Sequence, residues 1–132
     1  MKFFYKHYGP IRRPVVPITL KTSKEAVRYE ALIDSGADIC LFDEEMGDFL
    51  GLDVRKGKSY EVIGIGGKYS IYHLHEITLE IGGWPFKIQA GFMENVAGIT
   101  KPYGVLGQAG FFDKFIVKFD LSKEEIELKI KS

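Results

Sequence analysis

Short β-like runs separated by turn residues recur along the 132-residue chain, and they constrain its fold most strongly. Turn signals follow one another about every 8–12 residues, a spacing typical of a β-sandwich or a β-barrel. The runs are Val15–Leu20, Val27–Ile33, Tyr60–Ile65, Tyr69–Leu74, Glu76–Ile81 and the segments FKIQAGFM, YGVLG, FIVKFD and IELKI. Short helices are predicted only for Asp43–Leu50, which opens with acids, and more weakly for Gln108–Phe115. The sequence therefore predicts a single all-β domain over residues 1–132.

Two segments of the chain resemble each other. PITLKTSKEAVRYEALIDSGA and EITLEIGGWPFKIQAGFM both contain Ile-Thr-Leu, then a turn, then a strand. Two β-units related by a pseudo-two-fold axis would explain this pattern. Unrelated β-sequences can also produce it, so the sequence leaves the internal repeat open.

The balanced composition gives no support for a nucleic-acid or membrane partner. Lys plus Arg equals Asp plus Glu at 18 each, so no net field favours nucleic acid or an anionic membrane. The single cysteine, Cys40, cannot form an intrachain disulfide, which fits a reducing compartment. No signal-peptide h-region and no membrane-length apolar stretch is visible. We expect a soluble, cytoplasmic domain that binds neither nucleic acid nor membrane.

The stretch ALIDSGAD, residues 31–38, runs from apolar residues straight into Asp34-Ser35-Gly36. Such a sequence often only turns a strand into a loop. Asp34 is therefore either a turn former or the working acid of an active site.

The motifs of this chain, taken together, resemble the retropepsin-like aspartic proteases. ALIDSGAD, the glycine-rich VIGIGGKYSIY and GVLGQAGFF stand in the order of that family: Asp-Ser/Thr-Gly-Ala, a flap hairpin, and a hydrophobic-hydrophobic-Gly sequence. The resemblance covers roughly Arg13 to Phe119. It implies a closed retropepsin-like barrel with a flap hairpin and one or two short helices, acting as an aspartic endopeptidase.

The chemistry of that family needs two Asp carboxylates that share one proton, one activating water and one polarising the scissile carbonyl. Ser35 and Gly36 would support the site, because a short hydroxyl can bond backbone and glycine permits close approach. No other Asp precedes Ser-Gly or Thr-Gly, and the chain is too short for two lobes. The second Asp34 must then come from another copy, as a closed homodimer. No cofactor or metal is needed.

The glycine-rich segment is predicted to form the flap. By resemblance, Ile63, Gly64, Ile65, Gly66 and Gly67 would close over a peptide substrate. A plain surface hairpin is the alternative. A phosphate-binding loop is excluded by spacing, because residue 62 is Val where a Walker sequence needs Gly.

Three further residues extend the resemblance and a fourth weakens it. Ala37 and Asp38 match substrate-binding positions of the family, and Arg13 matches an Arg at its dimer contact. We hypothesise an Arg13–Asp38 pair across the dimer, against a solvated Arg13. The family commonly has Arg after the downstream Gly, but here the residue is Gln108, which cannot form the same ion pair.

Other readings are weaker. IDSGA faintly resembles the nucleophile context of chymotrypsin-like proteases, but Ile33 stands where Gly is required. His73 and His75 would share a strand face, yet no third zinc ligand stands out. The basic and aromatic N-terminus could stack single-stranded nucleic acid, although packing is favoured. The main functional alternative is a catalytically silent dimerisation or peptide-binding module. The substrate, the working pH and the role of residues 126–130 in dimerisation stay open.

Overall fold

The computed structural model describes residues 1–63, 66–94, 96 and 103–131. These residues contain twelve strands, one α-helix and one short 3-10 helix at Val54–Lys56. They are β1 (Lys2–Phe4), β2 (Lys6–Tyr8), β3 (Ile11–Arg13), β4 (Val15–Lys21), β5 (Ala26–Ile33), β6 (Leu41–Asp43), α1 (Glu44–Phe49), β7 (Lys58–Ile63), β8 (Tyr69–Ile81), β9 (Trp84–Met93), β10 (Gly104–Leu106), β11 (Phe115–Asp120) and β12 (Glu125–Ile130). The fold is all-β, as the sequence predicts.

A seven-stranded sheet in the order β4-β5-β10-β6-β9-β8-β7 forms most of the molecule. Strand β4 also pairs with β8, so six of these strands form a closed ring and β7 extends from it as a hairpin partner of β8. Closing the ring pairs most of the edges that an open sheet would leave free.

The strand order of the ring reads the same from both ends when β4 is exchanged with β8, β5 with β9 and β6 with β10. Parallel pairs join β5 to β10 and β9 to β6, and the two short strands pair antiparallel in the centre. Leu20 and Leu79 of the two Ile-Thr-Leu segments face each other directly. This symmetry of the strand order explains why the two Ile-Thr-Leu segments resemble each other.

The core lies inside the ring and is lined by alternating residues of its strands. In β4, Val16, Ile18 and Leu20 are buried, and in β9, Ile88, Ala90 and Phe92 are buried. A two-residue turn at Gly82 and Gly83, both at positive φ, joins β8 to β9, where two-residue hairpins require such residues.

A second, three-stranded sheet in the order β1-β12-β11 covers one side of the core. Strand β12 is paired on both edges, by the first strand of the chain and by β11. Its inward residues Ile126 and Leu128 are fully buried in the core cluster. Within the protomer, residues 126–130 therefore close the core.

The sequence-based assignment differs from the structure in three places. The strands β1, β2 and β3 before Val15 were not predicted. Tyr69–Leu74 and Glu76–Ile81 form one continuous strand, β8. The segment Gln108–Phe115 forms turns instead of a second helix. Gly110 has a φ of +102° in this segment, outside the helical region. Phe112 and Asp113 accordingly donate to carbonyls five residues back, those of Gly107 and Gln108.

Candidate active site

Asp34 is the first residue after β5 (Ala26–Ile33), which is buried only toward its end, at Ala31 and Ile33. Its N–H donates to the Leu106 carbonyl at 3.0 Å, which extends the parallel pairing of β5 with β10 by one residue. Ile33 points into the core at 4% exposure, so Asp34 follows the opposite face, shared with half-buried Leu32. The ring thus holds the Asp34 backbone firmly while its side chain stays half-buried.

The Asp34 side chain also forms the turn that follows the strand. Its Oδ1 accepts the Gly36 N–H at 2.9 Å, and the Ala37 N–H donates to its carbonyl at 3.2 Å. A Cβ at residue 36 would lie 3.2 Å from Oδ1, so a side chain there would press against the carboxylate. No described residue donates to Oδ2 of Asp34. Asp34 is therefore a turn former that keeps one carboxylate oxygen available.

A second turn, at Gly107 and Gln108, supports the first. The Gln108 N–H donates to the Ala37 carbonyl at 2.8 Å, and the Ala109 N–H donates to the Asp38 carbonyl at 2.9 Å. A side chain at residue 107 would meet backbone, because its Cβ would lie 2.2 Å from the Ile39 carbonyl oxygen. The two loops are packed backbone against backbone, and this close approach requires glycine.

The remaining predicted residues of the first loop lie at the surface. Ser35 and Gly36 are exposed, Ala37 is half-buried, and Asp38 is exposed. The Ser35 hydroxyl has no hydrogen-bond partner among the described residues. Asp38 likewise makes no ion pair with any of them.

A face of the ring continues from Asp34 across the neighbouring strands. The row Leu32, Val105, Leu41 and Gly91 follows by direct pairing, on the face that Leu32 shares with Asp34. Sequence reasoning missed these residues as candidates. The alternation in Ile39-Cys40-Leu41-Phe42, with Cys40 and Phe42 fully buried, is the signal that could have found Leu41.

The β7–β8 hairpin carries the glycine-rich segment predicted to be a flap. Ile63 ends β7 at 61% exposure, and Gly66 and Gly67 have φ of +94° and +78°. Gly64 and Ile65 lie outside the described residues. One side of the hairpin carries the stacked rings of Tyr60 and Tyr72, with centroids 5.5 Å apart.

Arg13 is engaged within its own chain. Its guanidinium lies 5.3 Å from the centroid of the Tyr8 ring, a cation–π contact in the β2–β3 hairpin. The Arg13–Asp38 pair across a dimer remains a prediction, and forming it would compete with this stacking.

Two other groups that could carry chemistry are buried or hydrogen-bonded. The Cys40 thiol is fully buried, and burial raises its pKa to about 12. His75 Nε2 lies 2.7 Å from the Val54 carbonyl oxygen. Among the described residues no group of His, Cys, Asp and Glu is arranged to hold a metal ion. Within the same residues, no helix is long and apolar enough to span a membrane.

Comparison with known proteins agrees with this geometry. The family model described as aspartyl protease matches residues 16–109. The match contains Asp34, its turn and the Gly107 turn that supports it. The chain belongs to the aspartyl protease family.

Two solved structures are similar to this chain in fold. A retropepsin-like aspartic protease from Rickettsia conorii matches with a TM-score of 0.66 and 17% sequence identity, over 96% of this chain and 97% of that one. EIAV protease in complex with an inhibitor matches with a TM-score of 0.53 and 19% identity, over 78% of this chain and 88% of that one. A search of curated proteins finds no match. The retropepsin-like fold predicted from the motifs is confirmed.

Proposed function

We propose that this protein is a homodimeric aspartic endopeptidase whose site combines Asp34 from each of two copies. The observation that carries the proposal is the state of Asp34 itself. Its backbone is fixed by the Leu106 carbonyl, one carboxylate oxygen is bound in its own turn, and the other has no donor among the described residues. A single carboxylate of this kind is half of the pair that aspartic-type peptide hydrolysis uses.

The surroundings of Asp34 support a two-fold arrangement. The chain contains one Asp-Ser-Gly sequence, so the second carboxylate has to come from a second copy. Ser35 is exposed, and its hydroxyl is available to bond the backbone of a facing loop. A two-fold axis beside Asp34 would cover this loop and make each contact twice.

The mechanism follows from two like charges held close together. The pair binds one proton between its members, because ionising both carboxylates at this distance is unfavourable. The ionised Asp34 takes a proton from a bound water, which attacks the peptide carbonyl. The protonated Asp34 donates a hydrogen bond to the carbonyl oxygen as negative charge develops there. When the carbon–nitrogen bond breaks, the pair gives one proton to the leaving amine and returns to its singly protonated state.

The β7–β8 hairpin would act as the flap over a bound peptide. Ile63 and the glycines at residues 64, 66 and 67 offer backbone groups that an extended peptide can pair with. Closure over the site would exclude water other than the attacking one. Ala37 and Asp38 would contact the substrate on the other side.

The decisive experiment compares Asp34→Asn with wild-type protein on a broad peptide library from about pH 3 to pH 7. We expect Asp34→Asn to lose cleavage by about a thousandfold or more, with an unchanged sedimentation coefficient. Asp48→Asn, an exposed acid on α1, is the matched control and should cleave as wild type does. Failure of the wild-type protein to cleave any peptide would contradict the proposal.

A mixing experiment tests the shared site directly. Equal amounts of wild-type and Asp34→Asn chains, allowed to exchange, should reduce total activity to about half, because only one dimer in about four then carries two Asp34. Unchanged activity would show that each chain works alone. Peptide binding without turnover in both proteins would favour the alternative of a silent binding module.

A cytoplasmic location is part of the proposal. Its support is Cys40, an unpaired thiol of the kind that reducing compartments preserve. Cell fractionation would test it.

A further inference from the structure

A groove of about 920 Å³ lies between the β7–β8 hairpin and the residues around Arg55. One wall belongs to the hairpin, and the opposite wall belongs to the start of α1 and to the turn after β9. The lining residues that matter here are Glu61, Tyr69 and Ile71 on the hairpin and Glu44, Arg55 and Glu94 opposite. Among the described residues, none of the loop that carries Asp34 lines this groove.

The groove and the candidate active site lie on opposite faces of the hairpin. Leu74 pairs directly with Gly91, so its face of β8 continues the row that begins beside Asp34. Successive residues of a strand point to opposite faces. Ile71 and Tyr69 are three and five residues before Leu74, so they belong to the other face, which lines the groove. A molecule in the groove would therefore leave the space above Asp34 open.

The hairpin wall of the groove exposes large apolar side chains. Ile71 and Tyr69 are both mostly exposed, and Ile63, which pairs directly with Tyr69, is exposed on the same face. Glu61 pairs with Ile71 and places a carboxylate within this apolar row. Adjacent exposed apolar side chains with a polar rim are typical of a protein interaction site.

The groove carries an excess of negative charge, although the chain as a whole is neutral. Glu44 and Glu94 share one cation, the guanidinium of Arg55, at 2.8 Å and 3.0 Å. Glu61 forms no ion pair with any described residue, and Lys68 is the second cation of the lining. A neighbouring hollow of about 410 Å³ shares Arg55 and adds three carboxylates, those of Asp43, Glu45 and Asp48. This local field favours a basic partner.

We infer that the groove binds a second segment of the protein substrate, one that carries apolar and basic side chains and lies outside the residues that enter the cleft. The hairpin allows one chain to reach both places, because β7 is the last strand of the seven-stranded sheet and its outer edge pairs with no described strand. A chain that leaves the face of Asp34 can pass over this edge, and about eight extended residues span about 25 Å. The inference rests on the proposed endopeptidase function and adds a substrate contact outside the active site.

The first test measures binding without turnover. A synthetic peptide of alternating leucine and arginine is titrated into Asp34→Asn protein whose isoleucine, leucine and valine methyl groups are labelled for NMR. We expect the Ile71 methyl signal to shift, with an affinity about tenfold above those of matched leucine–glutamate and serine–arginine peptides, because charge and apolar area both contribute. Shifts confined to Leu41 and Val105 would overturn the inference, because the peptide would then lie in the cleft.

The same spectra test a second copy of the chain as the competing occupant. Without peptide, the Ile71 methyl signal should stay unchanged over a dilution series of the protein. A shift that depends on protein concentration alone would show that another copy fills the groove, and would overturn the inference.

Matched substitutions separate the groove from general effects of the surface. Ile71→Ser should weaken binding of the leucine–arginine peptide by about tenfold and Glu61→Gln by about threefold. The controls are Ile116→Ser on β11, at 54% exposure against 55% for Ile71, and Glu127→Gln on β12, which is also exposed. All four positions are at the surface, so the variants should fold as the wild type does. Equal weakening by the two members of each pair would overturn the inference.

The second test links the groove to cleavage. A peptide that the wild-type protein cleaves is extended at either end by a Gly-Ser linker of about eight residues and then by the leucine–arginine sequence. We expect its KM to be about tenfold lower than that of the same peptide with a serine–glutamate tail, with kcat unchanged, because the bound tail raises the local concentration of the scissile segment. Ile71→Ser should bring this ratio to within about twofold of one.

The outcomes for the groove and for the endopeptidase are distinguishable. Equal KM values for the two tails at both ends would overturn the inference and leave the endopeptidase function standing. If the wild-type protein cleaves no peptide, the proposed function fails, and the binding test on Asp34→Asn protein decides whether the groove takes a basic, apolar segment.

Discussion

The side-chain amide of Gln108 donates a hydrogen bond to the backbone carbonyl of Ser35 at 3.0 Å. The backbone N–H of Gln108 donates to the Ala37 carbonyl two residues further along. One residue therefore ties the loop after β10 to both sides of the loop that carries Asp34. The link joins parts of the chain 73 residues apart and fixes the orientation of the candidate catalytic loop.

Removing this amide should loosen the candidate catalytic loop. We expect Gln108→Ala to lower the free energy of unfolding by about 1 kcal/mol, because one hydrogen bond at an exposed site is lost. If the bond positions Asp34, kcat should fall several-fold while KM changes little. Gln89→Ala, an exposed glutamine on β9, is the matched control and should leave both quantities unchanged. An equal effect of the two substitutions would show that the link has no positioning role.

Gly107 should not tolerate a side chain. The Cβ of Gly107→Ala would lie 2.2 Å and 2.7 Å from the carbonyl oxygens of Ile39 and Ala37, so backbone has to move. We expect a loss of about 2 kcal/mol or more in urea unfolding, together with loss of activity. The comparison is Gly83→Ala, whose Cβ would meet no atom within 4 Å. Its only cost is the positive φ of 84°, which should lower the free energy of unfolding by about 1 kcal/mol.

Strand β12 should contribute strongly to stability. Ile126 is fully buried in the main core, so Ile126→Ala should cost about 2–5 kcal/mol through lost burial and the cavity left behind. Its neighbour Glu127 points outward from the same strand, and Glu127→Ala should stay within about 0.5 kcal/mol. Urea unfolding of the two variants measures the difference. A small effect at Ile126 would mean that the strand is peripheral in solution.

Cys40 should be inert in the folded protein. Burial raises the pKa of its thiol to about 12, so at pH 8 only about one molecule in ten thousand carries the reactive thiolate. A thiol reagent should label the native protein far more slowly than the urea-unfolded chain. Rapid labelling at pH 8 without urea would contradict the buried position.

The same thiol makes the free energy of unfolding depend on pH in the alkaline range. Below about pH 8.5 the thiol is protonated in both states and contributes no pH dependence. As the pH rises above this value, the unfolded thiol loses its proton while the folded one keeps it, so unfolding becomes more favourable. Cys40→Ala should therefore show a weaker decline in stability between about pH 8.5 and pH 11 than wild type.

Much of the fold could be predicted because the hydrophobic pattern of each strand is local. The alternation in VVPITL and the apolar run before Asp34 define β4 and β5 to within a residue of their observed bounds. The acids of DEEMGDFL mark α1 in the same way, with Asp43 as its N-cap. Asp34 itself could be predicted because its motif is contiguous.

Other features depend on contacts between distant residues and have no local signal. Gln108–Phe115 has a helical pattern, but the left-handed Gly110 and the backbone bond to Asp38 determine its turns. The partners of Arg13 and Tyr72 are set by strand register, which a single sequence does not reveal. Strand β1 was missed because Lys2–Phe4 is stabilised by β12, which is distant in sequence. The hairpin of β2 and β3 is local, so distance does not explain why it was missed.

The pairing of β1 with β12 has a consequence for how the domain folds. Phe3 lies opposite Ile126, so β1 can pair only after residues far along the chain have come into place. Contacts so distant in sequence slow the search for the native state. Until this pairing forms, Phe3 lacks the core against which it packs and one edge of β12 is unpaired, so both are open to chaperones and to premature association.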